Sequence, residues 1–175
     1  DNIGRLLDLL DTLGIAENTI VIFHSDNGGP IVGQNWSLNV PLRGKKGELW
    51  EGGICVPFAV SWPGTIPAGQ VFGNNNFISS LDILPTLAAV SGADEENEIR
   101  TDGTDIMPLL TNEVSSLPSR NLYWRRGTAQ ITACRSGDYK YHLNRILGRE
   151  YLFDIANGCE WDTCDIISYE PDIAS

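Results

Sequence analysis

The sequence predicts an α/β fold in which a helix feeds an internal strand and a small antiparallel sheet follows toward the C-terminus. Three observations carry this. Apolar residues recur at helical spacing from Asp1 to Leu13. Thr19-Ile20-Val21-Ile22-Phe23-His24 is short, β-branched and free of polar alternation, which predicts a strand of a parallel sheet buried on both faces. After about Pro118, short aromatic and β-branched runs are separated by Gly-containing turns. With 175 residues and 42% hydrophobic content, the chain can build one sizeable core and a small appended unit.

In the first helix Ile3, Leu6, Leu7, Leu10 and Leu13 share one face, and Arg5, Asp8 and Asp11 lie on the other. Gly14 is its stop signal. Ile31 to Val40 reads as a loop holding Gly33, Gln34, Asn35, Trp36 and Asn39; Trp36 is open between stacking on a sugar or aryl ring and anchoring its own loop. Val56 to Trp62 is a second apolar run, predicted as a buried strand ended by the turn Pro63-Gly64. Val71 to Asn76 is polar and reads as another loop. Asp82 reads as a helix N-cap rather than a metal ligand, with Pro85 in the first turn and Gly92 at the end. Asp94 to Glu98 is an acidic, solvated loop. Strands are expected at Tyr123 to Arg125, Ala129 to Cys134, Tyr139 to Leu143 and Tyr151 to Ile155, with Ser136-Gly137-Asp138 as a hairpin connection. His24 and His142 receive no role, a strand histidine being usually structural or exposed.

The net charge of −11 argues against a nucleic-acid or heparin-like surface, which needs clustered Lys and Arg. No apolar run is long enough to span a membrane, and no signal peptide is visible. The four cysteines lack the paired spacing of a metal set. Cys159 and Cys164 are open between a local disulfide and free thiols. Cys55 is expected to be a core residue, not a nucleophile.

The chemistry concentrates between Thr19 and Gly53. Ser25-Asp26-Asn27-Gly28-Gly29-Pro30 sits where the first strand ends, and ligands of open α/β sheets collect outside the carboxyl ends of strands. Asp26 and Asn27 offer the oxygen atoms that hard cations prefer; the same tetrad is also ordinary turn chemistry. Arg43, Lys45 and Lys46 follow, fixed positive charge suited to an anionic substrate. Arg43 is expected to pair with Glu48 or Glu51, and Gly52 and Gly53 to permit close backbone approach or positive φ.

A set of motifs in fixed order carries a resemblance. They are Asn18 to Phe23 running into Ser25-Asp26-Asn27-Gly28, then Leu42-Arg43-Gly44-Lys45-Lys46-Gly47, Trp50-Glu51-Gly52-Gly53-Ile54, Val56-Pro57 and Trp62-Pro63-Gly64. Leu81-Asp82-Ile83-Leu84-Pro85-Thr86-Leu87, Asp102-Gly103 through Pro108-Leu109-Leu110, Arg135 to Tyr141 and Tyr151 to Asp154 complete it. Together they resemble the sulfatase family, the formylglycine-dependent sulfuric ester hydrolases of arylsulfatase type, and match the C-terminal part of a longer member.

The resemblance implies an alkaline-phosphatase-like sulfatase fold. Residues 1–118 would be the end of the α/β catalytic domain with its large mixed sheet, and 119–175 a small antiparallel C-terminal subdomain. It implies a Ca²⁺ ion held by Asp26 and Asn27 with carboxylates from an N-terminal half, which also carries the formylglycine nucleophile. Lys46, at the family's spacing from Glu-Gly-Gly, is the implied catalytic lysine, with Lys45 the next choice. Implied substrates are sulfate monoesters, including sulfated carbohydrates and aryl sulfates, and the implied location is periplasmic, secreted or lysosomal. Such a piece is expected to be inactive alone. Cys55-Val56-Pro57 is not the modified motif Cys-x-Pro-Ser-Arg, because Phe58 and Ala59 follow. Asn157-Gly158-Cys159-Glu160 departs from the family's Asp-Pro-x-Glu. Two alternatives are carried: a metal phosphodiesterase or phosphonate hydrolase of the same superfamily, which would place His where Asn27 stands, and a non-catalytic binder of sulfated glycans.

Overall fold

The computed structural model describes residues 1–32, 35–36, 38–73, 76–93 and 100–167. The chain divides into two compact units: Asp1–Ile22 with Val60–Pro118, and Phe23–Ala59 with Ser119–Ser175. One cut falls at Pro118, where the composition shifts; the segment Phe23–Ala59, however, belongs to the same unit as the C-terminal sheet. The expected acidic loop Asp94–Glu98 lies outside the described residues, as do Gly33 and Gln34.

In the first unit, α1 (Asn2–Thr12) opens on Asp1, whose carboxylate accepts from the Gly4 amide at 2.6 Å, and ends before Gly14 at φ +68°. Its apolar side chains are largely exposed, Leu6 and Leu9 each at 51%. A 3₁₀ turn, Ser80–Asp82, leads into α3 (Ile83–Ser91). Asp82 stands at the N-cap position of α3 as expected, but its side chain caps no amide of that helix. Ser79 caps the turn, while the Asp82 carboxylate reaches back to accept from the Ser79 amide at 2.7 Å and also takes the Thr104 amide at 2.9 Å. Fully buried, Asp82 therefore joins the helix entry to the Thr101–Asp105 stretch. Thr86 does the same one turn on: its hydroxyl donates to the Asp82 carbonyl and accepts from the Ile106 amide. Among the described residues, Ala88, Ile106 and the α4 (Met107–Leu110) residues Leu109 and Leu110 are the buried apolar ones of this unit.

Strand β1 (Val21–His24) pairs with β4 (Phe58–Ser61), and the chain passes between the units within these two strands. Neither is buried on both faces as expected. Phe23 is 50% exposed and His24 is exposed too; β4 alternates between half-buried and exposed. A two-stranded ribbon has too few neighbours to cover both faces. The stretch predicted as a plain loop contains the small hairpin β2 (Ile31–Val32) and β3 (Asn35–Trp36), paired antiparallel; the Trp36 side chain lies outside what is described.

The second unit is dominated by an antiparallel meander, β5 (Asn121–Arg126), β6 (Ile131–Ser136), β7 (Tyr139–Asn144) and β8 (Arg149–Asp154), in that spatial order. Gly137, at φ +55°, makes the two-residue β6–β7 turn. The register aligns Leu122, Arg135, Lys140 and Phe153 in one row and Trp124, Ala133, His142 and Tyr151 in the next row on the same face. This is the covered face. Phe153 is 0% exposed and packs with Tyr151, Ile155 and Trp50; burying a phenyl ring this fully contributes about 2–3 kcal/mol.

Candidate functional site

All the sequence-predicted site residues lie in the second unit. Asp26 and Asn27 follow β1 directly, Asp26 exposed and Asn27 half-buried. The Ser25 hydroxyl donates to the Asn27 carbonyl at 2.9 Å, and the Asn27 side-chain amide donates to Asp26 Oδ1 at 2.7 Å. Asx–Ser bonds of this kind fix the turn locally. Among the described residues, Asp26 Oδ2 and Asn27 Oδ1 have no hydrogen-bond partner.

The next loop is tied to this turn through the backbone. The Lys46 amide donates to the Gly29 carbonyl at 3.2 Å. Asn39, which the sequence marked only as a loop residue, joins them. Its Oδ1 accepts from the Gly29 amide at 2.9 Å, and its Nδ2 donates to the Gly29 and Gly44 carbonyls at 3.0 Å each. Gly28 is needed here for space: its amide bonds the Gly53 carbonyl, and a Cβ would run into the Gly52 carbonyl. Gly52 and Gly53 in α2 (Glu51–Ile54) serve the same purpose by close approach, not by positive φ. A Cβ on Gly52 would lie 2.6 Å from the Arg43 and Gly44 carbonyls, and one on Gly53 2.6 Å from the Lys45 carbonyl. Three glycines thus let the metal-type turn, the cationic loop and α2 stack backbone on backbone.

Lys46 is exposed, Lys45 half-buried. Arg43 does not pair with Glu48 or Glu51. Its Nη1 donates to Asp162 Oδ1 at 2.7 Å and to the Glu160 carbonyl at 3.1 Å, while the guanidinium lies 3.8 Å from the Trp50 ring centre. Glu51 is taken instead by Lys140, whose Nζ donates to Glu51 Oε1 at 2.7 Å and pairs with Glu160 Oε1 at 2.6 Å. Glu160 Oε2 accepts the Glu51 amide at 2.6 Å, and Arg135 stands 4.0 Å from Glu51 Oε2. These four charged residues are each under 9% exposed. Two positive and two negative charges balance, as buried charges must. The Glu160 carboxyl is nonetheless held above the usual carboxylate range, burial outweighing Lys140.

His142 is structural. Its ring stacks on Trp50 at 3.8 Å and 5°, and its Nδ1 is buried without a hydrogen-bond partner. Burial, then the charges of Lys140 and Arg43, bring its pKa down to about 4. His24 is exposed and bonds the Ser25 carbonyl through Nδ1. Cys55 is exposed rather than a core residue, because it follows the last turn of α2 and precedes β4. Cys159 and Cys164 form a disulfide. Asn39, Lys140, Glu160 and Asp162 were not legible as site residues; Lys140, inside the Arg135 to Tyr141 motif, and Glu160, on the Glu of the Asp-Pro-x-Glu pattern, carried some signal.

Among the described residues no three His, Cys, Asp or Glu side chains are grouped to hold a metal ion. The donor set at the end of β1 does suit a hard cation in kind: a carboxylate and an amide on adjacent, accessible residues, all oxygen. These are two oxygen donors, where a Ca²⁺ ion takes six to eight. No described helix is long and apolar enough to cross a membrane.

An oxygen-rich turn, a cationic loop backed by close-packed glycines, and an antiparallel sheet make up this candidate site in a mixed α/β chain. A sulfatase family model matches residues 1–93, and the chain belongs to the sulfatase family. It is 41% identical to rat (Rattus norvegicus) steryl-sulfatase over 64% of this chain and 20% of that protein. To human (Homo sapiens) arylsulfatase A it is 37% identical over 81% of this chain and 28% of that protein. The solved structure of Ps i-CgsB in complex with k-i-k-neocarrahexaose superposes with a TM-score of 0.84 at 30% identity, covering 98% of this chain and 37% of that one. The chain shares its mixed α/β fold with that solved structure, and it spans 20% and 28% of the two curated relatives' lengths. The family is generally metal-dependent.

Proposed function

We propose that this chain is the C-terminal part of a sulfuric ester hydrolase acting on sulfate monoesters. Asp26 and Asn27 supply two oxygen ligands of a Ca²⁺ ion, and Lys46 supplies a cation for the sulfate. The observation that carries this is the tie between the turn and the loop: the Lys46 amide on the Gly29 carbonyl, with Asn39 bracing both. It keeps the ammonium-bearing residue beside the oxygen ligands. The bound ion would act as a Lewis acid on a sulfate oxygen. Lys46, exposed at the loop, holds a second sulfate oxygen by point charge, countering the negative charge that grows as the ester bond breaks. The nucleophile, a formylglycine, and the remaining ligands would come from the rest of the protein.

Asn27, where two-zinc relatives would carry His, supports this reading over a phosphodiesterase. The Cys159–Cys164 disulfide supports export to an oxidising compartment, be it periplasmic, secreted or lysosomal. Sulfated carbohydrates or aryl sulfates are the proposed substrates. Asp26→Ala in the full-length protein is expected to abolish chelator-sensitive hydrolysis of an aryl sulfate; wild-type rates would contradict the assignment.

A further inference from the structure

We propose that the disulfide-closed loop Cys159–Cys164, with Lys140 from β7, is a clamp that sets the position of the Arg43–Glu51 loop and so of Lys46. Glu160, Asp162 and Lys140 are then positioning residues for the sulfate-binding cation. This deepens the reading of Lys46 given above and rests on it.

Among the described residues the Lys46 side chain has no hydrogen bond or ion pair, so the place from which it reaches toward a substrate is set by its backbone. That backbone belongs to a loop held at both ends by one short segment. At Arg43, the guanidinium bonds the Asp162 carboxylate and the Glu160 carbonyl. At Glu51, the amide bonds the Glu160 carboxylate, and Lys140 bridges the Glu51 and Glu160 carboxylates. Glu160 and Asp162 both lie inside the ring closed by the disulfide, whose cysteines are five residues apart with Cα atoms 6.0 Å apart. The ring is itself fixed to β8. Cys164 packs against the Tyr151, Phe153 and Ile155 cluster, and the Ile166 amide bonds the Leu152 carbonyl at 2.8 Å.

An apolar contact would bury the same surface without the desolvation cost of four charges. What the charges add is direction: each bond fixes one atom of the loop in place, which apolar packing does not. The disulfide limits the freedom of the two carboxylate carriers, and the glycines at positions 52 and 53 let the Arg43–Glu48 carbonyls seat without slack. A movement of about 1 Å in a charge-bearing group is enough to cost catalysis heavily.

The test is a double-mutant cycle in the full-length protein, measuring kcat/KM for 4-nitrophenyl sulfate. Asp162 is 59% exposed at its side chain, so Asp162→Asn removes one anchor without opening the core. It is expected to lower kcat/KM about tenfold in the wild-type background and less than about twofold in Lys46→Ala, because the anchor acts through that lysine. Equal losses in both backgrounds would overturn the clamp and leave Lys46 standing. Unchanged kinetics for Lys46→Ala would remove the lysine from the proposed function. A second measurement does not depend on turnover. In Cys159→Ser/Cys164→Ser, amides of residues 43–51 are expected to exchange with solvent about tenfold faster while the β5–β8 amides keep their protection. Unaltered exchange at 43–51 would overturn the clamp whatever the activity.

Discussion

Helix α1 carries apolar side chains at regular helical spacing, and none of its residues is buried. Strand β7 carries Lys140 and His142, and both are at most 1% exposed. The two segments invert the usual assignment of residue type to environment. Burial follows from what the described chain supplies as cover. The β5–β8 sheet has Trp50, α2 and the disulfide ring laid against one face, so even an ammonium is enclosed there, with partners. Helix α1 has an apolar stripe and no equivalent layer among the described residues, in keeping with a chain that spans 20% to 28% of these relatives' length.

The contrast can be broken most sharply at Lys140. Lys140→Ala takes the cation from the buried Glu160 carboxylate and leaves Glu51 with the more distant Arg135 at 4.0 Å, and should cost about 3–5 kcal/mol of unfolding free energy. Urea denaturation of the full-length protein measures this. A loss below 1 kcal/mol would mean the cluster is open to water.

A smaller effect is expected from pH. His142 titrates at about 4 in the fold against 6.5 unperturbed, lowered by burial first and then by Lys140 and Arg43. A group whose folded value is depressed adds stability that is present above the unfolded value and lost as pH falls through the folded one. The unfolding free energy from urea denaturation should therefore drop between pH 6.5 and about 4, by on the order of 3 kcal/mol at most. His142→Phe keeps a flat ring against Trp50 and should flatten that part of the profile. An unchanged slope would assign the loss to other groups.

The smallest effect tests the other region. Leu9→Ser on α1 should shift the stability of the described fold by under about 0.5 kcal/mol, as exposed substitutions do. If the same change costs more than about 2 kcal/mol in the full-length protein, a further layer covers the helix there. The comparison then becomes one between two buried regions.

Local features were readable. The α1 stripe with Gly14 after it, the αL glycine at Gly92, the Gly137 turn and four strands placed to within about two residues all follow from short-range chemistry. The close approach at Gly52 and Gly53 was one of two open readings, and the backbone geometry chose between them. Ser79 was missed as the cap because Asp82 has the same local credentials. The Arg43 partners were missed for a different reason: Asp162 lies 119 residues away, while Glu48 and Glu51 were near at hand in sequence.

From its own text the chain fixed periodicities, turns, the oxygen-bearing turn after β1 and the run of cations before Glu-Gly-Gly. Those are properties of neighbours along the backbone. Tertiary structure alone decided which way β7 faces. In Tyr139-Lys140-Tyr141-His142-Leu143-Asn144 the alternation taken by itself would turn the tyrosines inward and the lysine out, yet Lys140 and His142 are the buried pair. The choice is made by Glu51 and Glu160, far apart in sequence, which give the ammonium two carboxylates, and by Trp50, which gives the imidazole a ring to stack on. A charge goes inside where its counter-charges already are, and one strand's pattern holds no record of them.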